Sequence, residues 1–370
     1  MKKNILNEIS QLKKNGHKII GCFPLYPPVE LLNSMELTPI LFWGLRDSIT
    51  DLEKSNQHIQ NFACSVSRHM TQFILSEAGT YLDGLFMYNS CDTLRNLPEI
   101  ITIGLEKNNI FIPFFKIHIP MSLPHTHYTK NYLKAEIHKL IDQLSERFNV
   151  SFSPDKFIKS IESYRLRNIL CERLEYAVAL GILSFNIYAK TLLNLLVMTI
   201  ETQINHLDSI LNSCKFENNQ ETCLSKKRIL LSGILPPPQS IIDVIECSGM
   251  VIAANDIACF KRLYHNNHII TDDPFEYYIQ YYQEHFPCPT LLNTADRRFN
   301  VLQELIDTHK ATGIIFIGEK FCEYEYFEFP FLEKKFKAKG IKTLILEIAA
   351  DDDLNTEAFR TRIEAFSDLL

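Results

Sequence analysis

Short apolar runs recur at both ends of the chain, and each is separated from the next by a stretch whose apolar positions fall at helical spacing. Between about residues 1 and 128 the runs are HKIIGCF, TPILFWG, LDGLFMYN and NIFIPFFKIHIP. From about 226 to 370 they are KRILLSGIL, MVIAAND, ATGIIFIGEKF and IKTLILEIA. Continuous apolar runs alternating with helical patterns predict parallel sheets covered by helices on both faces. Between these regions, over about 129–225, the pattern is helical. Leu133, Ile137, Leu140, Ile141 and Leu144 mark one helix over Tyr128–Phe148. Ser153-Pro154-Asp155 opens a second, with Ser153 as N-cap and Pro154 at the first helical position. A third is expected over Ala177–Ile200, and a polar linker over Cys214–Lys227. FLEKKFKAKG reads as a helix ending at Gly340, a natural C′ residue, and the last helix runs from about Asn355 to Leu370.

Three domains follow: an N-terminal α/β domain (1–128), a helical region with linker (129–225) and a C-terminal α/β domain (226–370). A chain of 370 residues is long enough for each to bury its own core. The apolar fraction is 46%, charged residues make up 22% and the net charge is −6. No basic stripe marks a nucleic-acid surface. The stretch Ala177–Ile200 contains one charge, Lys190, but Asn186, Lys190 and Asn194 share one helical face, which fits an amphipathic helix rather than a membrane span. MKKNILNEIS lacks the apolar core of a secretory signal, and the location expected is cytoplasmic.

Motif absences narrow the chemistry further. GxxxxGK[ST] and GxGxxG are missing, so the chain itself should not bind ATP, and HExxH, GxSxG and CxxC are missing too. Ten cysteines are many for a reducing compartment, which favours metal or redox chemistry over a disulfide framework, although free cysteine is also an ordinary small core residue. Cys91 and Cys322 close predicted strands in different domains, and Cys64 precedes a helical stretch. In open α/β sheets ligands sit beyond the carboxyl ends of strands. Three thiolates would leave one iron of a cubane cluster open to another ligand; three buried thiols are the alternative.

The segments GCFPLYPPVELLNSMELTPI, FACSVSR, GLFMYNSCDTLRN, AANDIACF, FPCPT, GIIFIGEKFCEYEYFEFPFLEKKFKAKGIKTLILEI and TRIEAFSDLL carry a family resemblance. In order and spacing they resemble the D-component family of 2-hydroxyacyl-CoA dehydratases and benzoyl-CoA reductase subunits. The resemblance implies an α/β fold of two Rossmann/flavodoxin-like parallel-sheet domains with a helical segment between them. It implies a [4Fe–4S] cluster on Cys64, Cys91 and Cys322, a second family subunit or homodimer, and a separate ATP-dependent activator that delivers one low-potential electron. The implied activity is that of a lyase: a ketyl radical forms on a CoA thioester, and water is lost to give an enoyl-CoA. An electron-relaying or structural partner subunit, or a benzoyl-CoA-reductase or double-cubane type of reductase, is the alternative. Glu30 matches a family glutamate and is a candidate base or substrate-orienting group, or else a helix-start acid.

Cys259 and Cys288 match cysteine-bearing positions in parts of the family. The double-cubane branch carries a further Cys-Pro that the interval Thr71–Met87 lacks, so a single cube is the expectation. Cys22, Cys171 and Cys247 read as core, and Cys214 and Cys223 as incidental. His125 and His127 are loop histidines with a proton-donor or ligand alternative. Arg68 is a candidate for a CoA phosphate or for tuning the cluster charge, against a surface ion-pair role. Glu323, Glu325 and Glu328 read as acids at a helix start. Tyr324, Tyr326 and Phe327 read as cluster shield or core.

Overall fold

The computed structural model describes residues 5–23, 25–43, 45, 49, 51–120, 127–214, 226–265, 269–291, 295–349 and 356–370. His125, Cys223 and most of the polar stretch after Cys214 lie outside the described residues. By internal contacts the chain forms two units. Unit 1 comprises Met1–Leu166, Asn194–Gln203 and Asn266–His285, and unit 2 comprises Arg167–Leu193, Ile204–His265 and Phe286–Leu370.

All eight apolar runs are strands. Unit 1 holds β1 (Lys18–Cys22), β2 (Leu37–Leu41), β3 (Gly84–Tyr88) and β4 (Phe114–Ile117) in the spatial order β2-β1-β3-β4. Unit 2 holds β5 (Lys227–Gly233), β6 (Met250–Ile257), β7 (Gly313–Glu319) and β8 (Lys342–Ile348) in the order β6-β5-β7-β8. Every pairing is parallel. The two sheets therefore repeat one topology, and the expected fold class, α/β with two parallel-sheet domains, is what the chain adopts.

The helices before β5 are α1 (Ile5–Lys14), α2 (Val29–Ser34), α3 (Glu53–Asn56), α4 (Ser65–Leu75), α5 (Asp92–Glu106), α6 (His127–Phe148), α7 (Pro154–Ala179), α8 (Phe185–Leu195) and α9 (Ile200–Ser213). After it come α10 (Gln239–Cys247), α11 (Lys261–Tyr264), α12 (Pro274–Glu284), α13 (Ala295–His309), α14 (Glu323–Ala338) and α15 (Thr356–Asp368).

In unit 1 the sheet buries Ile19, Ile40 and Leu85 against Ile9, Phe73, Ile74, Leu97 and Ile101 of α1, α4 and α5. In unit 2, Leu230, Ile314 and Phe316 pack against Leu302, Ile306, Phe329, Leu332 and Phe336 of α13 and α14, with the Phe316 and Phe329 rings 4.8 Å apart. Near-continuous burial of β1, β2, β3, β5, β6 and β7 explains why these strands read as unbroken apolar runs, whereas the edge strands β4 and β8 expose Lys116 and Glu347.

One sequence expectation fails in this part of the chain. The single helix expected over Ala177–Ile200 is the end of α7, all of α8 and the start of α9. Gly181, at φ +70°, stops α7: its N–H bonds the Val178 carbonyl at 2.8 Å while the Ile182 N–H bonds the Ala177 carbonyl at 3.0 Å. That pair of bonds is a Schellman stop, which only a residue at ease in the left-handed region favours. Gly340 ends α14 in the same way at φ +78°, as its position predicts. Among the described residues no helix is long and apolar enough to cross a membrane.

Candidate thiol site and a buried ion-pair cluster

A sheet in the order β2-β1-β3-β4 reverses its winding between β1 and β3, and the crevice beyond those two strands' carboxyl ends is where such sheets bind ligands. The chain leaving β3 reaches Cys91 three residues beyond Tyr88, as the N-cap of α5. The chain leaving β7, the corresponding strand of unit 2, reaches Cys322 three residues beyond Glu319, as the N-cap of α14. Cys64 is the N-cap of α4. All three predicted thiols thus cap helix N-termini, where unbonded N–H groups and the helix field favour negative sulfur.

In unit 1 the Leu94 N–H donates to Cys91 Sγ at 3.4 Å, and Cys64 Sγ lies 3.6 Å from Ser67 Oγ. Burial pushes the Cys91 thiol up to about 12; the Leu94 N–H bond opposes this, and a charge on Cys64 would add to it. The last effect means that Cys64 and Cys91 lie within electrostatic reach of each other. Cys322 belongs to unit 2, where its own N–H bonds the Glu319 carbonyl at 3.0 Å. Phe321, immediately before it, has φ +63°, a left-handed conformation unusual for a bulky residue. Among the described residues no group of three or more His, Cys, Asp or Glu side chains is gathered as a metal site.

Glu30 lies eight residues after β1, in the first turn of α2. It is buried, and the Tyr278 hydroxyl donates to its Oε2 at 3.2 Å while accepting the Leu31 N–H at 3.1 Å. Burial raises the Tyr278 phenol well above its ordinary value, and the neighbouring Glu30 charge adds to that. A buried carboxylate held by a phenol has a built environment, which an acid that merely favours a helix start does not need.

Other expectations resolve one by one. Cys22 and Cys171 are buried as expected, but Cys247 is exposed, on the outer side of α10. Arg68 is buried rather than on the surface, its Nε donating to the Ala63 carbonyl at 3.0 Å. His127 is exposed, with its ring 3.2 Å from Asn131 Nδ2. Phe327 is 81% exposed and so is not core, whereas the Tyr326 hydroxyl donates to Glu347 at 2.7 Å. Cys259 and Cys288 are buried.

The acids after Cys322 correct the sequence reading most. Glu323 is exposed, but Glu325 and Glu328 turn inward onto a buried ion-pair cluster. Asp256, at the end of β6, accepts Arg262 Nε at 2.5 Å and Arg298 Nε and Nη2 at 3.0 and 2.9 Å. Ser232, its register partner on β5, donates to it at 3.1 Å. Arg262 Nη1 reaches Glu325 at 3.0 Å and Cys288 Sγ at 3.5 Å, and Arg298 Nη1 donates to Glu328. Burial alone would raise Asp256, but the two guanidiniums hold it below its ordinary value. Burial raises Glu328 despite Arg298, because three carboxylates share two cations. A register shift explains why Asp256 faces this way: Ile229 pairs with Ile252 but Leu230 with Ala254, so the bulge at Ala253 moves every later β6 residue to the opposite face. Asn255 consequently faces the other side, donating to Glu175 at 2.8 Å, where Lys261 also reaches Glu175 at 2.6 Å.

Two parallel sheets of one repeated topology, each followed by a helix-capping cysteine after its switch-point strand, define an α/β protein of two similar sheet units. The family described as 2-hydroxyglutaryl-CoA dehydratase, D-component matches residues 24–370, and the chain belongs to it. The (R)-phenyllactyl-CoA dehydratase beta subunit of Clostridium sporogenes is 25% identical over 364 residues, covering 98% of this chain and 94% of that protein. The lactoyl-CoA dehydratase subunit beta of Anaerotignum propionicum is 21% identical, covering 96% and 93%. A subunit of the benzoyl-CoA reductase of Thauera aromatica is 22% identical, covering 86% and 82%. Members of the family are thus subunits of CoA dehydratases or of a related reductase.

Proposed function

We propose that this chain is the iron–sulfur subunit of a 2-hydroxyacyl-CoA dehydratase-like lyase, working beside a second subunit and recharged by a separate ATP-dependent activator. The observation that carries the reading is the repeated placement of Cys91 and Cys322, each three residues past the matching strand of its sheet and each capping a helix. Cys64 caps a third helix within electrostatic reach of Cys91. Soft thiolate donors suit an iron–sulfur cluster, and helix N-termini favour the anionic sulfur that such ligation needs. In donor chemistry, the three thiols Cys64, Cys91 and Cys322 suit the [4Fe–4S] cluster of this reading.

When bound, such a cluster would supply one low-potential electron to a CoA-thioester carbonyl and an open iron position for an oxygen ligand. The chain's own part in the chemistry is proton handling and orientation. In this reading Glu30, in the first turn of α2, takes the proton that becomes acidic once the ketyl radical anion has expelled the 2-hydroxyl. The Tyr278 hydroxyl bond fixes one carboxylate oxygen and leaves Glu30 a defined direction. The relatives are each named as one subunit of their enzyme, which supports a partner subunit in the working enzyme here.

Anaerobic purification followed by iron and acid-labile sulfide analysis tests the reading. About four irons per chain are expected, with visible absorption abolished in Cys91→Ser and in Cys322→Ser. Absorption that survives in both variants refutes the ligand assignment, and about eight irons would favour the double cubane with Cys259 or Cys288 taking part.

A further inference from the structure

The buried cluster in unit 2 is expensive for a protein that needs only to fill a core. Asp256, Arg262 and Glu325 are fully buried and Arg298 is nearly so. Apolar side chains of similar volume commonly hold a core as well as a buried ion-pair group, or better. What a guanidinium fork adds is direction, because it fixes both the rotation and the axial slide of whatever carboxylate it grips.

Here the gripped carboxylates belong to the first two turns of α14. Glu325 is three residues past Cys322 and takes Arg262 Nη1 at 3.0 Å, with Arg298 Nη1 at 3.6 Å. Glu328, one turn further on, takes Arg298. The same two arginines are anchored at their other edges on Asp256, beside Ser232, at the carboxyl ends of β6 and β5. The helix that Cys322 caps is therefore tied to the sheet at its opening turn, by charged forks rather than by apolar contact alone.

We propose that Arg262, Arg298 and Glu325 are positioning residues for Cys322: they set the rotation and height of the α14 N-terminus and thereby the direction in which the Cys322 sulfur is offered as a ligand. This rests on the reading of Cys322 as a cluster ligand. Arg262→Lys separates geometry from charge, since it keeps the cation beside Asp256 and Glu325 and loses the fork. Substitutions should loosen ligation at Cys322 and leave Cys64 and Cys91, in unit 1, unaffected.

The test uses the full chain with Glu325→Gln, Arg262→Met and Arg262→Lys, read out in two ways. In anaerobically reconstituted protein, the release of iron to a chelator is followed by absorption. In cluster-free protein, alkylation of Cys322 by iodoacetamide is followed by mass spectrometry, with exposed Cys247 as internal reference. Disturbing the groups that orient a ligand commonly costs about 10–100-fold in metal affinity, and release about 10-fold faster or more is expected for Arg262→Met. Cys322 labelling should change several-fold in every variant while Cys64 and Cys91 keep their rates. Arg262→Lys, which retains the charge but not the fork, should behave like Arg262→Met.

Folded variants with parental iron release and parental Cys322 labelling overturn the proposal, as does full rescue by Arg262→Lys. Should Arg262→Met fail to fold, the near-isosteric Glu325→Gln decides by the same two readouts. If Cys322→Ser holds as much iron as the parent, it is the cluster assignment that fails, and labelling of the cluster-free protein still decides whether the clamp directs the Cys322 thiol.

Discussion

Asp256→Asn is the sharpest test of how the buried charges support unit 2. The carboxylate accepts five hydrogen bonds: Arg262 Nε and Nη2, Arg298 Nε and Nη2, and the Ser232 hydroxyl, at 2.5–3.3 Å. Asparagine keeps one acceptor oxygen and turns an NH2 group toward guanidinium donors that water cannot reach. Removing one partner of a buried ion pair typically costs about 3–5 kcal/mol. Glu325 and Glu328 remain to balance the two arginines, which places the expectation near the lower figure. For a domain of this size each kcal/mol is worth about 2–4 °C in Tm, so a fall of roughly 6–12 °C is expected. Calorimetry on cluster-free protein measures it, with Arg262→Met and the double variant completing a cycle. Because both single changes break the same contacts, the double should cost clearly less than their sum. Additivity within about 0.5 kcal/mol, or a Tm fall below about 2 °C for Asp256→Asn, would refute the claim that these charges act as one unit.

Three further outcomes are expected. Gly340→Ala meets no atom within 4 Å of the added Cβ, so its cost is the conformational one for φ +78°, about 1 kcal/mol, and a melting temperature equal to the parent's would contradict the Schellman stop. Glu328, raised by burial, costs stability at neutral pH, and that cost disappears as pH falls through its folded value, whereas Asp256, held low, contributes in full above about pH 4 and is lost below it. The Tm of cluster-free protein should thus rise on mild acidification and then fall, and Glu328→Gln should flatten the rise; an unchanged rise in that variant counts against the assignment. Under native conditions iodoacetamide should label exposed Cys247 far faster than buried Cys171, whose thiol burial pushes up to about 12, and the reverse order by mass spectrometry would place Cys247 inside.

The strands were legible because most are buried on both faces, the edge strands β4 and β8 excepted, so the apolar runs survive in the sequence, and the residue types then mark helix stops such as Gly340 directly. The break at Gly181 was equally present in the text, but uniform apolarity across Ala177–Ile200 concealed it, since composition does not register where a left-handed residue ends one helix and another begins. Cys247 was misread for a related reason: α10 buries Ile241, Ile242, Val244 and Ile245, and Cys247 falls off that stripe, which its helical phase alone would have shown. The two thiol-bearing turns could be placed from strand ends, whereas their equivalence needed the strand orders, which are set by pairing across long separations.

The charges around Asp256 were illegible for a deeper reason. Arg262, Arg298, Glu325 and Glu328 are residue types that almost always face water, and nothing local distinguishes the rare ones that do not. Their burial depends on a one-residue bulge at Ala253 that turns Asp256 inward, and on helices brought together from distant parts of the chain. An uncompensated charge in that place would carry a desolvation cost comparable to the stability of a whole domain. The cations and acids must therefore be present together or not at all, so the group has to be understood as a single device, one whose direct link to the candidate chemistry is the helix that begins at Cys322.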